Sequence, residues 1–98
     1  MYTFIREATF KTMVDAMRGA PIAAQIAKHY KEMTGIDVQL MRPISGSPVR
    51  LRFIGQIESL DQWQAHQTKM AQDPAFHKLL AEFGPLVDGS KTYDEIWR

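Results

Sequence analysis

An α+β fold with element order βαββαβ follows from three features of this chain. Some stretches alternate apolar and polar residues at a period of two, and two longer ones carry apolar residues at helical spacing. Breaks rich in Pro and Gly separate them. Tyr2 to Phe10 is the first strand, with Tyr2, Phe4, Ala8 and Phe10 sharing one face with Arg6, while Thr3, Ile5, Glu7 and Thr9 take the other. From Lys11 the period changes to that of a helix. One apolar stripe runs through Met13, Met17, Ala20, Ala24 and Ala27; after Gly19-Ala20-Pro21 a second runs through Ile22, Ile26, Tyr30 and Met33 on a rotated face. Pro21 therefore restarts or kinks the helix, and Gly35 ends it.

Ile36 to Arg42 and Val49 to Ile57 alternate again, flanking a loop with Pro43 and Pro48 at its ends, and form an antiparallel hairpin. The second helical region opens at Glu58-Ser59, where Ser59 caps a helix whose third position is Gln62, the arrangement of a capping box. It stops at Asp73-Pro74 and restarts there, with Asp73 as cap and Pro74 at the first position. Leu60, Trp63, Gln67, Met70 and Ala71 share one side, continued by Phe76, Leu79, Leu80 and Phe83; Gly84-Pro85 closes the helix. Lys91 to Arg98 is the last strand, with Tyr93 and Trp97 alternating against Thr92 and Ile96.

Two helices and four strands in this order give the split βαβ, or ferredoxin-like, arrangement: a four-stranded antiparallel sheet with both helices on one face. The strands are apolar on both sides, as at Phe4 and Ile5 or Phe53 and Ile54. The face away from the helices therefore needs a cover, and a second copy packed sheet on sheet supplies it.

Composition narrows the function classes. At 98 residues the chain is expected to be one domain spanning residues 1–98, since so short a chain cannot support two cores. Twelve basic side chains against eleven acidic ones leave it nearly neutral, without the basic face that nucleic-acid binding needs. No apolar run approaches the roughly 18 residues of a membrane span. Cysteine is absent, which removes disulfides, thiolate catalysis and Cys-based metal sites, and fits a reducing compartment. Met1 leads into Tyr2-Thr3-Phe4-Ile5 with no leader pattern, so a cytoplasmic location is expected. The sequence lacks GxSxG, GxGxxG and GxxxxGK[ST] loops, and its three histidines have no metal-ligand spacing; no cofactor and no metal are expected.

In its order of elements, and most specifically in Glu58-Ser59-Leu60 followed by Trp63 and then Asp73-Pro74-Ala75-Phe76, the chain resembles the dimeric α+β barrel superfamily. Within it, the resemblance is to NIPSNAP-like and antibiotic-biosynthesis-monooxygenase-like proteins. It implies a homodimer, and monooxygenase-like members often carry a helix histidine that His66 matches. The strand end Phe53-Ile54-Gly55-Gln56-Ile57 lacks the tryptophan common there in NIPSNAP-like domains and in haem-degrading relatives, so haem chemistry is not carried over.

His66, three residues after Trp63, is the candidate catalytic residue: beside an indole it could orient an enol or phenol, or shuttle a proton. Its alternative is a partly exposed helix-edge residue. His29 and His77 read as solvated. Arg6, Arg50 and Arg52 lie on strands, where a guanidinium can reach a carboxylate or form an ion pair with Glu7, Glu58 or Asp37. Trp63, Arg52, Arg6, Tyr30 and Phe53 are the candidate ligand-binding residues. The methionines, Met13, Met17, Met33 and Met70 among them, read as packing material. The expected function is a homodimer that binds a small apolar or aromatic molecule between sheet and helices. The alternatives are a cofactor-independent monooxygenase or isomerase acting on a phenolic or polycyclic substrate, and a pure interaction module.

Overall fold

The computed structural model describes residues 1–98. Strands β1 (Tyr2–Thr9), β2 (Gln39–Met41), β3 (Arg50–Ile57) and β4 (Tyr93–Trp97) form one antiparallel sheet in the order β2-β3-β1-β4. Helices α1 (Met13–Thr34), α2 (Leu60–Ala71) and α3 (Pro74–Phe83) accompany it, and two single-turn 3-10 segments, Gly84–Leu86 and Gly89–Lys91, lead into β4. This is the ferredoxin-like α+β topology. Strand β2 is shorter than the alternation of Ile36 to Arg42 implies, because only Gln39 to Met41 find partners on β3. Phe10 leaves β1 to make an isolated bridge with Val87.

Register sorts the side chains. Tyr2, Phe4, Arg6 and Ala8 stand opposite Ile57, Gly55, Phe53 and Leu51, so all eight share one face. That face carries the core, in which Ala8, Phe10, Leu51 and Phe53 meet Ala23 and Ile26 of α1, Met70 of α2, and Phe76 and Phe83 of α3. Phe83 is its hinge, edge-on to Phe10 with ring centroids 5.6 Å apart and to Phe53 at 6.0 Å. The helices thus lie on one face of the sheet, as the topology implies.

Pro21 does not break the first helix. It lies inside a continuous α1 on the exposed side, where its missing N–H leaves a carbonyl open to water rather than orphaned in the core. Gly19 is buried for a different reason: a Cβ there would lie 2.1 Å from Phe10 Cε1, so glycine permits the close approach of α1 to the sheet. The helix starts at Thr12, whose hydroxyl accepts from the Asp15 amide at 3.1 Å, and ends at Gly35 with φ of 78°.

The second helical region does break at its proline. Asp73 is extended and its carboxylate accepts the Phe76 amide at 2.8 Å, separating α2 from α3. At the start of α2, Ser59 Oγ accepts from the Gln62 amide at 3.1 Å while Gln62 Oε1 accepts from the Glu58 amide at 2.8 Å.

Two further sequence-based expectations are corrected. Met13 and Met17 are exposed, because the buried side of α1 follows Ala23, Ile26 and Ala27 instead. His29 is not solvated: its Nε2 lies 2.5 Å from Asp73 Oδ2, tying α1 to the break between α2 and α3. No helix is long and apolar enough to cross a membrane.

Candidate functional site

Between the sheet and the helices lies a cavity of about 710 Å³, and 14 of its 20 lining residues are hydrophobic, which suits it to an apolar occupant. The register explains its one charged feature. Arg6 of β1 faces the helices and stands opposite Asp94 of β4, so the two side chains meet on the cavity wall. Arg6 donates through Nε to Asp94 Oδ1 at 2.7 Å and through Nη2 to Oδ2 at 2.8 Å, a bidentate pair. That hydrogen bonding holds the Arg6 pKa above its ordinary value, against the opposing effect of burial.

Tyr30, on the core side of α1, also lines the cavity. Burial pushes its phenol pKa up, partly offset by the Arg6 charge. It therefore stays protonated at neutral pH and serves as a hydrogen-bond donor. Tyr30 and the Arg6 pair contribute polar groups to a mostly apolar space.

The residues singled out from sequence fall into three groups. Arg6, Tyr30 and Phe53 line the cavity together. Trp63 and His66, one helical turn apart on α2, stand one layer behind it: Trp63 packs on Phe4 with centroids 6.0 Å apart, and His66 sits edge-on to Tyr30 at 6.4 Å. Their ring nitrogens, Trp63 Nε1 and His66 Nε2, are buried without a hydrogen-bond partner. Arg52 lies across the sheet, in the row Met41, Arg52, Glu7, Tyr93, with its Nε 2.6 Å from Glu7 Oε2.

Two cavity residues escape sequence reasoning. Asp94 carries no motif; the signal for it is Arg6 itself, a charge on the buried face of β1 that needs an acid on a neighbouring strand. His77 lines the cavity, and its Nε2 contacts the carbonyl of Ala71 at the end of α2.

No protein-family model and no curated protein matches the sequence. Solved structures do match. An uncharacterised NIPSNAP domain protein from Burkholderia xenovorans superposes with a TM-score of 0.84 at 12% identity, over 100% of this chain and 93% of its own. A NIPSNAP family protein from Agrobacterium tumefaciens gives 0.84 at 11%, over 99% and 90%. SnoaB, a cofactor-independent oxygenase from Streptomyces nogalater, gives 0.74 at 13%, over 99% and 90%. At such identities the likeness establishes architecture, and the chain has the ferredoxin-like α+β fold found in NIPSNAP domain proteins and in antibiotic-biosynthesis-monooxygenase-like proteins such as one from Nitrosomonas europaea.

Proposed function

We propose that residues 1–98 form one cytoplasmic domain that assembles as a homodimer and binds a small apolar or aromatic molecule between sheet and helices. The cavity carries the reading: its walls are mostly apolar, and the unpaired Tyr30 hydroxyl stands on it near an Arg6 charge already neutralised by Asp94. Such a site favours a flat, uncharged molecule with one acceptor oxygen over a free carboxylate, which would have to displace Asp94. The cysteine-free composition fits a reducing cytoplasm. Support for the homodimer comes from the sheet face away from the helices, where Met41, Tyr93 and Trp97 are exposed beside Ile5 and Ile54.

Tryptophan fluorescence tests the binding, because Trp63 backs the cavity wall at Phe4. Trp97, exposed on β4, is replaced by Phe so that Trp63 alone reports. Uncharged bicyclic aromatics bearing a carbonyl should quench saturably, one per chain. Tyr30→Phe should weaken that binding about 3- to 10-fold, the worth of one hydrogen bond. Equal affinity in the variant would remove Tyr30 from the site.

A second reading is a cofactor-independent monooxygenase or isomerase acting on a phenolic or polycyclic substrate. His66 favours it, since its ring, with an unpartnered nitrogen, packs edge-on against Tyr30 of the cavity wall. The architecture shared with an oxygenase adds support. In that reading His66 acts as acid or base on a substrate bound against Tyr30. Arg6 rather than Arg52 positions the substrate, because Arg52 lies on the other side of the sheet. Turnover that survives His66→Ala unchanged would end this assignment.

A further inference from the structure

A second cavity, of about 260 Å³, opens where β2 runs into the loop that follows Met41. It shares no lining residue with the helix-side cavity, and it lies on the outward sheet face at the end where β3 begins, beyond the Ile5–Ile54 pair at which two copies are proposed to meet. Its charged walls are Glu7, Arg42, Arg50 and Arg52, three positive groups against one negative, leaving a net charge of 3 − 1 = +2.

Cross-strand register assembles this cluster. Arg52 stands opposite Glu7 on one side and Met41 on the other, and Arg50 lies two residues before Arg52 on the same face of β3. Glu7 is only 2% exposed, and both its oxygens are taken: Arg50 Nε donates to Oε1 at 2.5 Å and Arg52 Nε to Oε2 at 2.6 Å. Each guanidinium therefore spends one N–H on Glu7 and keeps its two terminal NH₂ groups for another acceptor. Arg42 belongs to none of the five ion pairs in the fold.

This differs from ordinary surface arginines in two respects. The carboxylate is buried beneath the guanidiniums, so it fixes their positions instead of swinging freely with them. The cluster also remains two charges short of neutrality in a concave space, which concentrates anions.

We propose that this cavity binds a phosphate-class dianion, either inorganic phosphate or the phosphate of a monoester, with Arg42, Arg50 and Arg52 donating to its oxygens. Glu7 is the positioning residue. A tetrahedral dianion presents enough oxygens for three guanidiniums and cancels the residual charge. A monocarboxylate has two oxygens and one charge, and leaves one arginine and one positive charge unmatched.

Calorimetric titration of the full chain at neutral pH and low ionic strength tests this, using inorganic phosphate, glycerol 3-phosphate and acetate in turn. Saturable binding of one phosphate per chain is expected, with acetate at least about tenfold weaker. Arg42→Gln should weaken phosphate binding by about tenfold or more while leaving the phosphate-free thermal midpoint unchanged, because Arg42 pairs with nothing in the fold. Tighter binding of glycerol 3-phosphate than of phosphate would identify a monoester as the occupant, and the reverse order would identify the free ion. Absence of saturable heat, equal affinity for phosphate and acetate, or undiminished binding in Arg42→Gln would overturn the proposal.

Discussion

Gly19 illustrates how a single residue can mislead a reading of sequence. In the run Gly19-Ala20-Pro21 it looks like part of a helix break, yet the helix continues and the glycine exists to let Phe10 approach. Replacing it forces Phe10 out of the contact with Phe83 that organises the core. Gly19→Ala should therefore destabilise the fold by about 1 to 3 kcal/mol, the usual cost of overpacking, although alanine is the better helix former. A denaturant midpoint equal to or above that of the parent would contradict this. Arg6 was conspicuous in the sequence because it puts a charge on an apolar strand face, and it lines the cavity. Its partner Asp94 was not, since choosing among the acids of the last strand requires the register between β1 and β4. His29 was misread for a similar reason: its partner Asp73 is 44 residues away in sequence.

At the scale of elements, caps and periodicity were the dependable signals. The Ser59 and Asp73 caps form with the partners the sequence implies, because capping is a local matter of two or three residues. The apolar side of α1 was harder to read, since helix rotation is decided by Phe10, Phe76 and Phe83 on other elements. Asp73 also joins elements, holding His29 of α1 while it caps α3. The His29 hydrogen bond first, and the Phe76 amide second, keep its carboxyl below the usual carboxylate range. A folded pKa below the unfolded one means that the unfolded chain binds more protons in acid. The stabilisation is thus complete above the ordinary carboxylate pKa, near pH 4, and is lost as pH falls through the lowered folded value. Thermal melts should show the parent more stable than Asp73→Asn at neutral pH, with the gap closing below about pH 4. A gap independent of pH would show that the ionised carboxylate contributes nothing.

For the whole molecule, the βαββαβ order and the two-sided apolar strands were readable because they depend only on alternation along the chain. The cavity was not, because it arises from the spacing left between sheet and helices and not from any motif. The open sheet face has Ile5 at its centre, on the inner strand β1 opposite Ile54. Ile5→Lys should leave the fold intact, since the lysine can extend into water from a free sheet face, yet it should convert the proposed dimer to monomer in light scattering. A variant that remains dimeric would place the interface elsewhere. The fold is proposed to pair with itself and to bind a small molecule in the cavity under its helices. Native mass spectrometry of the protein titrated with uncharged bi- and tricyclic aromatic carbonyl compounds tests both parts at once. The expected spectrum is a dimer of 11.2 kDa chains that gains up to one ligand mass per chain. A monomer, or a dimer whose mass shifts with none of these compounds, would contradict it.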